Sequence, residues 1–174
     1  LVCAVESNLP AGELIASLVT IGDEHRSLAA VVHGLEFLVR EARDTGKPPS
    51  FALLRSMLHY IKVFPEALHH PKEDKYLFRK LRERTSEFNE TLAELERQHV
   101  TGRQLVEKLE QSIDRYETDP AHGFDAFAAA VAHFASDQMQ HMRLESKVIL
   151  PAAREHLTAA DWAEIDRAFA DNGD

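Results

Sequence analysis

Two residue pairs in this chain share one spacing, His69-x-x-x-Glu73 and His141-x-x-x-Glu145. On a helix, positions i and i+4 lie on one face, offset by about 40° and about 6 Å, so both side chains can reach a single centre. Imidazole nitrogens and carboxylate oxygens together suit iron, manganese or zinc and disfavour copper(I) or an iron–sulfur cluster. The chain carries ten histidines but a single cysteine, Cys3, which excludes a thiolate site and a disulfide framework.

Those pairs need elements to hold them. Thr45-Gly46-Lys47-Pro48-Pro49-Ser50 is a loop, with Ser50 placed to cap the next helix. Thr85-Ser86 and Thr118-Asp119-Pro120 are further breaks, Ser86 being a candidate cap. Thr158 and Asp161 have the spacing of a capping box. Between the breaks the periodicity is helical, and no alternating run marks a strand. The chain therefore reads as all-α, with helices over residues 17–44, 51–83, 87–117 and 122–156 and a short fifth over 159–170. Short connections favour antiparallel neighbours, hence an up-down-up-down four-helix bundle. Trp162, Ile165 and Phe169 give the fifth helix an apolar face that would lie across the bundle as a lid. Pro65 and Pro71 each remove a backbone donor, so the second helix should kink there.

The core stripe of each long helix carries a histidine where a leucine is expected. They are His25 among Leu18, Ile21, Leu28 and Val32, and His69 beyond Leu54, Leu58, Ile61 and Pro65. His99 stands among Phe88, Leu92, Leu95, Gly102 and Val106, and His141 among Phe134, Gln138, Glu145 and Val148. In antiparallel neighbours, residues equally far from the connecting loop lie level. His25 and His69 are each about 22 residues from the first loop, and His99 and His141 each about 21 from the third. Glu73 and His99 are about 12 and 14 from the second, a mismatch of a few ångströms at about 1.5 Å per residue. Four histidines and two glutamates thus share one layer. A lone core histidine is usually hydrogen-bonded to a neighbour, which would make this a metal-free helical interaction module. Four in one layer with two carboxylates need a stronger partner, because buried charge is costly unless compensated. Six or seven such ligands exceed the four of a structural zinc and suit two metals bridged by carboxylates.

Composition narrows the rest. The 174 residues suit one domain, here an arm over 1–16, the bundle over 17–157 and a short helix with a tail over 158–174. A net charge of −9 argues against nucleic acid or anionic lipid as partner. No apolar run approaches the roughly 20 residues of a membrane span. Cysteine usage fits a reducing cytoplasm.

His25, His69-x-x-x-Glu73, His99 and His141-x-x-x-Glu145 resemble the hemerythrin-like, or HHE cation-binding, domains, over about residues 17–157. The stretches from Phe64 to Glu73 and from His141 to Glu145 look like a bacterial branch of that family. The resemblance implies two Fe ions joined by an oxo or hydroxo bridge, and O2 or a related diatomic or peroxide ligand as partner. Two positions depart from the oxygen carriers. Arg103 stands where they have a second histidine four residues after that of the third helix. Ser146 stands where they have an aspartate, and Glu145 takes that place one residue earlier. His70 is the expected replacement for the lost histidine, giving five histidines and two carboxylates. The changed ligand sets sensing, peroxide or nitric oxide turnover, and iron handling beside oxygen carriage, with binding or sensing ahead of an enzyme. A ferritin-like reading on Glu66-x-x-His69 and Glu96-x-x-His99 would leave His25 and His141 without a role. His33, His59 and His133 lie beside the stripes and His122 and His156 at helix ends, so these five read as structural or solvated.

Overall fold

The loop after the first helix turns on Gly46, whose φ of 67° is open to glycine at little cost. Its N–H donates to the Ala42 carbonyl and closes helix Ala16–Thr45. Ser50 caps the next helix, its Oγ accepting the Leu53 N–H at 3.3 Å. The structure is a computed structural model that describes residues 15–171, so the arm expected over 1–16 lies almost wholly outside it.

Four long helical stretches and a short fifth lie along the chain, with no strand among the described residues. The second spans 51–84 in five pieces: α Phe51–Val63, π Pro65–His69, a single turn His70–Lys72, π Glu73–Phe78 and α Arg79–Arg84. The third is Asn89–Thr118. The fourth runs α Pro120–Leu144, π Glu145–Ile149 and α Leu150–His156, and the fifth is Ala159–Ala170. No helix among the described residues is long and apolar enough to cross a membrane.

The third stretch packs along the fourth, the fourth against the first, and the second against the third. The fifth lies on the first helix and on segment Glu73–Phe78. Its Trp162, Ile165 and Phe169 are buried, as a covering helix requires.

Two expectations need correction. Ser86 does not cap the third helix. The Thr85 hydroxyl accepts the Glu87 N–H at 3.2 Å and the Ser86 carbonyl accepts the Asn89 N–H at 3.2 Å. These two bonds make a turn, and the helix starts at Asn89 with no side-chain cap. At the prolines, the second stretch does more than kink. Phe64 (φ −108°, ψ −76°) breaks the α pattern before Pro65, and wide π turns carry the chain onward.

The wide turns answer a phase problem. Ile61, Pro65, His69, Glu73, Leu77 and Leu81 are all buried, each four residues after the last. In an α-helix every step of four over-rotates by about 40°, so five steps would turn the stripe by about 200°, away from the core. A π turn closes i to i+5 and holds more residues, which keeps steps of four on one face. The fourth stretch repeats the device, so that Ile149 and not Val148 continues the buried line His141, Glu145.

The core divides in two. One apolar cluster holds Leu28, Val32, Leu58, Val106, Phe127 and Phe134. The other holds Ile21, Leu77, Phe78, Leu95, Ile149 and Trp162. In every long stretch the buried histidine falls between residues of the two clusters, so a polar layer crosses the interior.

The fifth helix is fastened by its cap. The Thr158 Oγ accepts the Asp161 N–H at 3.3 Å, and Asp161 Oδ2 accepts the Thr158 N–H at 2.9 Å. Arg84, ending the second stretch, donates to both Asp161 oxygens at 2.7 and 2.9 Å. Arg84, with help from Thr158, holds the Asp161 carboxyl well below the usual carboxylate range. A depressed folded-state pKa stabilises the fold above the unfolded value of about 3.9 and loses that effect as pH falls. Asp161→Ala is expected to cost about 1–3 kcal/mol at pH 6 through the lost cap and charged hydrogen bonds. The gap between variant and parent should narrow at pH 3, in urea titrations followed by Trp162 fluorescence. An equal gap at both pH values would remove the ionised Asp161 from the account.

Candidate metal centre

Burial and register bring seven polar residues together. His25 is 8% exposed, His69, His70, His99 and His141 are 3% or less, and Glu73 and Glu145 are fully buried. His25 comes from the first helix and His99 from the third. His69 closes a π segment, and Glu73 and Glu145 each open one. π turns of this kind recur at functional sites. Here they aim each carboxylate along the same face as the histidine four residues earlier.

The donors fall into two groups that could each hold a cation. His70, Glu73, His99 and His141 offer atoms within 4.8 Å of one another, and so do His25, His69, Glu73 and Glu145. Glu73 belongs to both groups, with Oε1 2.9 Å from His69 Nε2 and Oε2 3.5 Å from His99 Nε2. Glu145 Oε2 lies 3.1 Å from His25 Nε2 and 3.9 Å from His141 Nε2. His99 Nε2 and His141 Nε2 are 3.3 Å apart. Two ligands about 2.0–2.1 Å from one ion stand about 2.9–3.4 Å apart at right or tetrahedral angles, close to these separations.

The inward atoms lack partners while the outward ones have them. His25 Nε2, His69 Nε2, both nitrogens of His70 and all four oxygens of Glu73 and Glu145 make no hydrogen bond. Facing away from the layer, His69 Nδ1 meets Glu24 Oε2 at 2.6 Å, His99 Nδ1 meets Asp74 Oδ1 at 2.9 Å, and His141 Nδ1 meets Gln98 Oε1 at 3.3 Å. A donor ring so held keeps Nδ1–H outward and presents Nε2 inward, the arrangement that orients metal-binding histidines. The donor set and its unsatisfied inner atoms therefore fit a pair of cations.

The electrostatics show what happens without one. Burial pulls His25 down, but Glu145 and Glu73 outweigh it and lift the ring to about 9. Burial opposes His69 and His99 too. Glu73 and Glu24 raise His69 to about 10, and Asp74 and Glu73 raise His99 to about 9. Burial wins at His70 and His141, which are lowered. Burial pushes Glu73 up, but His69, His25 and His99 hold it well below its usual range. Burial and the Glu73 charge raise Glu145.

Other candidates fall outside the layer. Arg103 is exposed. Glu96 is bound by Arg82 at 2.5 and 2.9 Å, away from the centre, so the Glu96-x-x-His99 motif does not operate as a pair. His33, His59, His122 and His133 are exposed, and His156 is half-buried with its ring 5.9 Å from that of Phe88. The sequence reading missed Glu24, Asp74 and Gln98. Each directly adjoins a layer residue in the chain yet bonds a histidine of another stretch. Among the described residues, the layer is most thinly covered at His25. A surface cavity of about 390 Å³ there is lined by His25, Ala29, Met142, Arg26, Arg143 and Lys147. The opposite flank is closed by Phe169, whose ring meets that of His69 edge-on at 6.2 Å.

A family model described as the hemerythrin HHE cation binding domain matches residues 17–153. No curated protein and no solved structure matches the chain.

Raised imidazole pKa values have a direct consequence. At pH 7, His25, His69 and His99 carry protons in the metal-free protein, and a cation must displace them. Uptake of a divalent cation should release protons and tighten from pH 6 to pH 9, as read with a pH indicator in weakly buffered solution. Uptake without proton release would contradict this assignment of charge.

Proposed function

The chain belongs to the hemerythrin HHE cation-binding domain family, and we propose on that footing that its buried layer holds two iron ions and binds or senses O2 or a related small ligand. In this reading the four long stretches form an antiparallel bundle around the pair. The observation that carries it is the sharing of Glu73 between two complete donor groups. His70, His99 and His141 would serve one ion and His25 and His69 the other, with Glu73 and Glu145 between them. Ferrous iron held there would supply the electrons that such a ligand needs.

The chain's own residues supply the rest. Glu24, Asp74 and Gln98 fix the rings through Nδ1, and their loss should weaken binding about 10–100-fold. Leu28, Leu58, Leu95 and Phe134 are buried and keep bulk water from the layer. His70 fills the place that Arg103 leaves empty. The group with two imidazoles contains the less covered histidine, His25. A small ligand arriving through the adjacent cavity would meet that side first.

Metal analysis of protein purified without chelator should find about two irons per chain, and well under one would sink the proposal. His70→Ala and His25→Ala should each lower that content, and unchanged content in both would mean a different ligand set. An optical spectrum that changes with oxygen and reverses on its removal supports binding or sensing. Saturable turnover of peroxide or nitric oxide would move the assignment to an enzyme.

A further inference from the structure

Just outside the layer lies a second set of unsatisfied polar atoms. The Glu66 side chain is 8% exposed, and neither of its oxygens has a hydrogen-bond partner. Gln138 is 2% exposed, and its Oε1 has no partner either. They meet at Gly102. A Cβ there would stand 3.2 Å from Gln138 Nε2, 3.4 Å from Glu66 Oε1 and 3.9 Å from Asp137 Oδ2. The missing side chain at Gly102 leaves room for three polar side chains from the second and fourth stretches.

We propose that Glu66, Asp137 and Gln138, gathered over Gly102, form the gateway through which a divalent cation reaches the buried layer. The proposal rests on the metal reading above. The set leads inward, because Glu66 Oε1 lies 3.7 Å from His70 Nδ1. It leads outward through Asp137, which is half-buried. Its cation donors are the carboxylate oxygens of Glu66 and Asp137, while the Gln138 amide N–H donates to Asp137 Oδ2 at 3.3 Å. Those oxygens attract a hard cation and, with no imidazole among them, let it pass on to the stronger nitrogen-rich groups. The field has the right sign: burial raises the Asp137 carboxyl against a hydrogen bond from Gln138, and the neighbouring Glu66 and Glu94 charges raise it further. The opening at His25 has the wrong sign, since Arg26, Arg143 and Lys147 line its rim. Cations and small neutral ligands thus have separate ways in.

The test mixes metal-free full-length protein with ferrous iron under anaerobic conditions and reads unbound iron with a ferrous chelator at successive times. Glu66→Gln keeps the side chain's shape and removes its charge. It should slow uptake about tenfold, the lower end of electrostatic steering in a charged cleft, while final iron per chain stays at the parental value. Gly102→Val, which fills the junction, should slow uptake as well. Parental rates in Glu66→Gln would overturn the proposal, whether or not Gly102→Val folds. Lost iron at saturation in Glu66→Gln would also overturn it, by making Glu66 a ligand. A parent that takes up no iron would sink the metal reading itself.

Discussion

Two fully buried carboxylates, Glu73 and Glu145, are the constraint on which this structure turns. They share His25 as a neighbour, and each opposes ionisation of the other. Stability alone would not select such a layer. Packed apolar residues commonly replace buried ion clusters at no loss, while removing one member of a cluster costs about 3–5 kcal/mol. The layer also splits the apolar core into two halves that must each pack alone. Protons on His25, His69 and His99 balance the charge in the metal-free protein. Bound cations would take the place of those protons between the rings and the carboxylates.

Holding seven side chains on one layer sets demands on the backbone. A uniform α-helix cannot keep six buried positions in phase at steps of four. The second stretch does so by widening its turns around Pro65 and Pro71, and the fourth by widening before Pro151. The prolines contribute directly. Each lacks the N–H that an α turn would use, so the wider bonding pattern loses less there than elsewhere. His69 and His70 are then both buried, although neighbours on a helix point about 100° apart.

Much of this was legible in the sequence. Helix spans, the Ser50 cap and the Thr158–Asp161 capping box follow from local chemistry, and the shared layer follows from counting residues from the loops. The π segments were less so, although their trace is present as an unbroken run of buried positions four apart beside proline. The hydrogen-bonding partners stayed hidden for a different reason. Glu24 adjoins His25 but serves His69, Asp74 adjoins Glu73 but serves His99, and Gln98 adjoins His99 but serves His141. Each reaches across to another stretch, and that relation appears only when the helices are placed side by side. Glu66 was visible only as part of a motif that fails, because its significance lies in the partners it lacks.

The two donor groups differ, and so does their cover. The three-imidazole group is enclosed: His70 stacks on His99 with ring centroids 4.3 Å apart, and Phe78 stacks on His99 at 5.8 Å. In the two-imidazole group, the fifth helix seals His69 through Phe169, but His25 borders a cavity. Fewer imidazoles and thinner cover coincide on one side. A symmetric layer would offer a small ligand two equivalent approaches. Among the described residues, the most exposed member of the layer, His25, thus belongs to the group with fewer nitrogen donors.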